Sequence, residues 1–236
     1  MNTVSKRLLI IIPTYNEALN IRELIDAVRS YVSKCGLLIV DDNSPDRTAD
    51  VVKAKQKHDN NIYLVQREGK FGLASAYITG LKWGLNKGYE YLCIMDADLS
   101  HNPKYLVTFL EKIYEYDFVV GSRNIEGGGI LNWSLGRKII SKFGSFYSRT
   151  ILSMPIYDFT SGYHMWRRNV LENIDLDNIK SKGYICNIEL KYKAYKNGFS
   201  FIEIPIVFEE RRGGVSKISK KIILEAFWKV LLLRLK

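Results

Sequence analysis

The 236-residue sequence holds only three cysteines, Cys35, Cys93 and Cys186, odd in number and far apart. That pattern excludes a disulfide framework and a paired-cysteine zinc site. The three read as reduced core thiols of an intracellular protein. No stretch approaches the roughly 18 uninterrupted apolar residues that a spanning helix needs. The apolar run Leu8 to Ile12 stops at Pro13 with no cleavage-type continuation, so no secretory signal is expected. A dinucleotide cofactor is not expected, because no Gly-x-Gly-x-x-Gly follows the first apolar run. Gly69-Lys70-Phe71-Gly72 is not the phosphate-wrapping Gly-x-x-x-x-Gly-Lys-Ser/Thr loop, and no Gly-x-Ser-x-Gly elbow occurs. Internal repeats and low-complexity tracts are missing as well.

What remains is a globular composition, 47% hydrophobic and 25% charged, with a net charge of +10. Such a balance points to a polyanionic partner or an anionic surface. The charge is uneven: residues 211–236 carry eight basic side chains against Glu225, a net +7, which leaves +3 for the first 210 residues. Ile218 to Leu235 is apolar apart from a narrow stripe at Lys221, Glu225 and Lys229 and the basic residues near its ends. A helix of that kind fits a membrane interface or the outside of a core.

Short β-branched runs alternate with helical patterns through the first half, which predicts βαβ units and a mainly parallel sheet. Strands are expected at Leu8 to Ile12, Leu37 to Val40, Ile62 to Val65, Tyr91 to Met95 and Phe118 to Val120. Helices are expected at Glu17 to Val32, Thr48 to Lys57, Ala74 to Asn86 and Lys104 to Tyr114. After Gly121 an appended region is expected, with helices at Leu135 to Leu152 and Cys186 to Lys196 and a strand at Phe201 to Phe208.

The sharpest chemical signal is Met95-Asp96-Ala97-Asp98-Leu99-Ser100-His101. It follows a buried strand, and an i, i+2 spacing in extended chain turns both carboxylates to one side, where they can share a cation. Mg²⁺ or Mn²⁺ held by one or two carboxylates completes its shell with water and substrate phosphates. His101 is read as shaping the turn. Pro13-Thr14-Tyr15-Asn16-Glu17 and Asp41-Asp42-Asn43-Ser44-Pro45-Asp46 stand at the ends of the first two strands, where an open parallel sheet binds ligands. Tyr15 offers a stacking face and the acids offer acceptors for a ribose or base; the same residue types also build turns. Arg123 and Arg137 are candidate phosphate ligands, since guanidinium groups bind phosphate in a bidentate way.

Together these motifs, with Gly121-Ser122-Arg123, Thr160-Ser161-Gly162-Tyr163 and Arg211-x-x-Gly214-x-Ser216-Lys217, resemble family 2 glycosyltransferases of the dolichol-phosphate mannose synthase group. The resemblance runs from about Leu8 to Lys217. It implies a single GT-A domain over 1–217, a three-layer α/β/α fold with a Rossmann-like, mainly parallel sheet, followed by a basic amphipathic helix over 218–236 that contacts a membrane surface. The implied reaction is inverting transfer of mannose from GDP-mannose to a dolichyl or other polyprenyl phosphate, with UDP-glucose as the alternative donor. Pro13, Tyr15, Glu17, Val40 and Asp42 would hold the nucleoside. Asp96, Ala97 and Asp98 would meet diphosphate, with a divalent cation on Asp96 and Asp98. Arg211 and Lys217 would close over the donor, with Arg123 also reaching it, while Arg123, Arg137 and Ser141 would receive the acceptor phosphate. Asp98, Arg123 and Arg137 are thus the implied catalytic set. The implied setting is peripheral, at a cytoplasmic membrane face, with no nucleic-acid partner; a small membrane subunit is left open.

Four residues depart from the family pattern: Arg47 and Ala74 where glycine is usual, His164 for arginine and Asn187 for glutamine. The chemistry also stands without the family. A phosphate monoester with a second pKa near 6 is largely a dianion at neutral pH, so the acceptor needs no general base. A pyrophosphorylase-like enzyme lacks its glycine-rich N-terminal loop here. A non-catalytic module that uses only the basic tail is the second alternative; no groove-reading motif supports nucleic acid, and the tail's apolar face favours a lipid surface.

Overall fold

A computed structural model of the chain describes residues 7–179, 181–209 and 220–235, with the side chains of the last segment from 227 onward. The first half alternates as β1 (Leu8–Thr14), α1 (Ile21–Tyr31), β2 (Gly36–Asp41), α2 (Thr48–Gln56), β3 (Ile62–Gln66), α3 (Leu73–Asn86), β4 (Tyr91–Ile94), α4 (Tyr105–Lys112) and β5 (Phe118–Ser122). β1 is buried along its whole length. Leu8, Ile10 and Ile12 join one apolar cluster, and Leu9 and Ile11 the other on the opposite face. A strand covered on both faces has no polar alternation, which is why it reads as an unbroken apolar run. α1 turns Ile21, Leu24, Ile25 and Val28 inward at helical spacing. α3 lies closer still: a Cβ at Gly80 would collide with Ile11, and one at Gly84 with Leu9 and Leu92.

The region after Gly121 is not appended, as the sequence suggested, but completes the sheet. It contains β6 (Gly129–Ile130), α5 (Leu135–Leu152), β7 (His164–Arg167), α6 (Arg168–Glu172), α7 (Ile185–Lys196), β8 (Phe201–Pro205), β9 (Val207–Phe208) and α8 (Lys220–Leu235). The strand order is β3-β2-β1-β4-β7-β5-β8. β7 runs antiparallel to both its neighbours, and the other pairings are parallel. The single strand expected at Phe201 to Phe208 is two, because the chain leaves β5 at Ile206 and pairs β9 with β6 in a small second sheet. The expected boundary at 217/218 lies outside the described residues.

The first helix begins at Ile21, not Glu17, and N–H groups just before it are taken up by side chains of the loop after β2 and the start of α2. The Glu17 N–H donates to Thr48 Oγ1 at 3.0 Å and the Ala18 N–H to Asp46 at 2.9 Å. Burial would raise the Asp46 carboxyl, but hydrogen bonds from Thr48 and Ala18 hold it below its usual range. Arg47, the first departure from the family pattern, sits at φ +69°, a left-handed conformation that favours glycine. Its side chain is largely exposed and, among the described residues, pairs with the exposed Asp50, a contact worth a few tenths of a kcal/mol. Arg47→Gly is therefore expected to stabilise the fold by about 0.5–1 kcal/mol once glycine's chain entropy is subtracted. Differential scanning fluorimetry should show a Tm increase of roughly 1–4 °C.

Candidate active site

The acid pair sits on the turn that leaves β4, between the end of β1 and the start of β7. Its shape is set by hydrogen bonds within the turn and from below. The Asp96 N–H donates to His101 Nδ1 at 3.0 Å, and Tyr77 Oη donates to Asp96 Oδ1 at 2.9 Å. Asp98 Oδ1 accepts from the Ser100 N–H and hydroxyl. Leu99 between them is held at φ +63°, a strained position for a branched side chain. His101 shapes the turn as expected: it is buried and stacked on Tyr163 with ring centroids 4.8 Å apart. Burial lowers its pKa against the upward pull of Asp96 and Asp98, so a neutral ring accepts at Nδ1. Burial first, and Asp96 second, push the Tyr77 hydroxyl well up, which keeps it a donor.

The two arginines, fourteen positions apart, meet at one indole. The Arg137 guanidinium carbon lies 3.7 Å from the Trp133 ring centroid and that of Arg123 lies 5.8 Å from it. Arg123 is not the surface cation that sequence allows. It is buried, donating from Nε at 2.6 Å and Nη2 at 2.7 Å to Asp158 and from Nη2 to Thr160 Oγ1 at 2.7 Å. Asp158 also accepts the Arg123 backbone N–H at 3.0 Å. Asp158, Thr160, Tyr77 and Trp133 are site residues that sequence reasoning missed. Only Thr160 stood in a recognised motif.

Asp96, Asp98, Arg123, Arg137 and Ser141 all line one cavity of about 420 Å³. α5, α7 and α8 add apolar side chains to its wall, including Ile139, Phe143, Ile188 and Val230. α5 and α8 are joined across it by Tyr147 and Phe227, whose rings stack at 4.4 Å.

The nucleoside set lies beside this cavity, at the neighbouring strand ends. Pro13 and Val40 face each other across the β1–β2 ladder and are buried. Ala97 is buried in the acid turn, and Tyr15 and Glu17 stand on the loop after β1. Lys70 Nζ sits 3.7 Å from the Tyr15 ring centroid, on the face expected to stack. Asp42 is buried, ion-paired with Arg67 and accepts the Gly72 N–H at 2.8 Å. It anchors the 67–72 loop at the crevice. Asp41 is likewise buried and holds Thr14 and Ser44. Arg211 and Lys217 lie outside the described residues.

Two more departures from the family pattern, His164 and Asn187, prove to be partners. His164 Nε2 and Asn187 Oδ1 are 3.1 Å apart, both fully buried, and His164 Nδ1 accepts from Trp166 Nε1 at 2.6 Å. Asn187 lies behind Gly162, a cavity-lining residue where a Cβ would come 3.5 Å from Asn187 Nδ2. Neither residue lines the cavity.

Comparison with known proteins agrees with this architecture. Residues 9–175 match the pattern of "Glycosyl transferase family 2". Polyprenol monophosphomannose synthase of Mycolicibacterium smegmatis is 42% identical over 228 residues, covering 96% of this chain and 86% of that protein. Undecaprenyl-phosphate mannosyltransferase of Micrococcus luteus is 42% identical over 220 residues, covering 93% and 90%. Among solved structures, glucosyl-3-phosphoglycerate synthase from Mycobacterium tuberculosis, in complex with Mn²⁺ and UDP-glucose, superposes with a TM-score of 0.67. It is 16% identical and covers 98% of this chain and 81% of that one, a likeness of fold. The chain belongs to glycosyl transferase family 2 and is a glycosyltransferase built on the GT-A fold.

Proposed function

We propose that the protein transfers mannose from GDP-mannose, with inversion, to a dolichyl or other polyprenyl phosphate presented by a membrane. One observation carries the reading: a single cavity joins the acid pair, two arginines and Ser141 to apolar walls that continue onto exposed apolar side chains. On α5, Leu135, Ile139, Phe143 and Phe146 recur along one outward face, and on α8 Trp228, Leu232 and Leu235 are exposed. A phosphate on an isoprenoid chain matches both ends of such a cavity. The two relatives at 42% identity, whose names specify mannose and polyprenyl phosphate, support the same donor sugar and acceptor.

The donor set suits a hard divalent cation. Asp96 and Asp98 both line the cavity and offer carboxylate oxygens there. That composition fits Mg²⁺ or Mn²⁺ shared with a diphosphate and water. A cation held by Asp96 and Asp98 would supply positive charge for a departing nucleoside diphosphate. The chain's own residues do the rest. Tyr77 and His101 fix Asp96. On this reading Arg137, stacked on Trp133, and Arg123, braced on Asp158, orient the acceptor dianion, and Ser141 on the same cavity donates to it. The attacking oxygen is already ionised near neutral pH, so alignment replaces a general base.

On this reading the enzyme works peripherally, at a cytoplasmic membrane face. No helix among the described residues is long and apolar enough to cross a bilayer. The +7 of residues 211–236 favours anionic lipid by about 1 kcal/mol for each basic residue near the surface.

A second reading keeps the acceptor and changes the donor to UDP-glucose, the ligand of a solved protein of this fold. A donor panel separates the two: radiolabelled GDP-mannose, UDP-glucose and UDP-GlcNAc against short polyprenyl phosphates, with and without chelator. Lipid-linked mannose from GDP-mannose alone is expected, falling by at least about 100-fold with chelator and restored by Mg²⁺ or Mn²⁺. Glucose transfer instead selects the second reading, and no lipid-linked product from any donor removes the acceptor assignment.

A further inference from the structure

Lys191 on α7 is among the largest fully buried side chains of the molecule, and the reaction above does not use it. Its Nζ reaches the segment that precedes β7 and donates to the carbonyl oxygens of Ser161 at 2.8 Å, Phe159 at 3.0 Å and Asp158 at 3.3 Å. An ammonium has three N–H groups, and three carbonyls take all of them. The same segment is held from two other sides. Glu203 on β8 accepts the N–H of Tyr157 at 2.7 Å and of Asp158 at 2.9 Å. Arg123, at the end of β5, holds the Asp158 carboxylate and Thr160 Oγ1. Of these contacts, those of Lys191 alone restrain the carbonyls. The segment has a direct outlet to the site, because Arg123, Thr160 and Gly162 all line the cavity.

We propose that Lys191 is a positioning residue for the acceptor phosphate: it clamps residues 158–161 so that Asp158 and Thr160 hold the Arg123 guanidinium at the cavity wall. The inference rests on the reading of Arg123 as a ligand of the acceptor phosphate.

The clamp depends on charge, because a neutral amine has two N–H groups and turns a lone pair toward the third carbonyl. Burial brings the Lys191 pKa down to about 7, with Asp158 and Glu203 pulling it up and Arg123 adding to the fall. His164 on β7 is the remaining titratable group coupled to it, and burial holds that ring neutral. Raising the pH through 7 therefore loosens the segment. It also stabilises the fold. The unfolded lysine keeps its proton to about pH 10.4 while the folded one releases it near 7, so the unfolded state binds more protons across that window. Weaker acceptor binding together with rising thermal stability is the signature of this group.

The test measures the KM and Kd of citronellyl phosphate, a short isoprenyl phosphate, between about pH 6.5 and 8.5 in the wild type, Lys191→Met and Lys191→Gln. In the wild type the acceptor KM should rise roughly three- to tenfold across that range, with the donor KM unchanged. Lys191→Met should start at the weakened value and stay there, with kcat within about twofold. Lys191→Gln, which has two N–H groups and no charge, should lie between and show no pH dependence. The acceptor's own ionisation is common to all three and cancels. The wild-type Tm should climb from pH 7 to 9 relative to Lys191→Met; a merely structural lysine would shift Tm without moving the acceptor profile. A flat wild-type acceptor KM overturns the proposal even if neither variant folds. Binding whose pH profile ignores position 191 sinks the clamp alone. No binding of citronellyl phosphate at any pH sinks the acceptor assignment, and this role with it.

Discussion

Asp98→Ala is expected to lower transfer by about 10³-fold or more, equivalent to roughly 4 kcal/mol of lost transition-state stabilisation. Asp98 stands half-buried on the acid turn at the cavity wall, and its Oδ1 accepts from Ser100 two residues on. Losing such local bonds costs on the order of 1 kcal/mol, so the variant should fold and melt within a few degrees of the wild type. Asp96 should hold its place, because Tyr77 and the His101 ring fix it independently of Asp98. Single-turnover product formation checks the rate. Mn²⁺ titration in the presence of GDP, read by electron paramagnetic resonance, checks the cause: the wild type should bind the ion and the variant should bind it at least about tenfold more weakly. Near-normal turnover in a folded Asp98→Ala protein contradicts the assignment of this carboxylate.

The acid pair was legible in the sequence because its chemistry is local: a buried strand, an i, i+2 spacing and a turn. β1, β2 and β4 were legible for a related reason, since burial on both faces leaves an unbroken apolar run. β7 was not, because His164–Arg167 begins and ends on residues of ionisable type, and its antiparallel insertion between β4 and β5 leaves no trace in a periodicity. Asp158 was illegible because its meaning depends on Arg123, 35 positions away. Asp42 has protein partners that its own motif does not announce, Arg67 and Gly72, 25 and 30 positions away. The family departures proved more informative than they looked singly. Arg47 marks a left-handed position, and His164 and Asn187 form one buried hydrogen bond.

Asp158→Asn should be the most destabilising single change in the site. The Asp158–Arg123 pair is almost wholly buried, with side-chain exposures of 0% and 7%. Burial alone would raise the Asp158 carboxyl, but the Arg123 charge and its hydrogen bonds hold it below the usual range. A depressed carboxyl contributes stability above its unfolded pKa of about 3.9 and loses it as the pH falls through the folded value, so the pair is intact at neutral pH. Asparagine keeps the shape but leaves a guanidinium buried beside an amide, which costs about 3–5 kcal/mol. The Tm should fall by roughly 6–20 °C. Transfer should fall too, and the double variant Arg123→Met with Asp158→Leu separates the two effects. Replacing both charges with apolar groups removes the stranded cation, so most of the lost stability should return. Acceptor binding should not return, because the guanidinium is gone. Recovery of both stability and acceptor affinity in the double variant would show that Arg123 braces the fold and leaves phosphate recognition to Arg137.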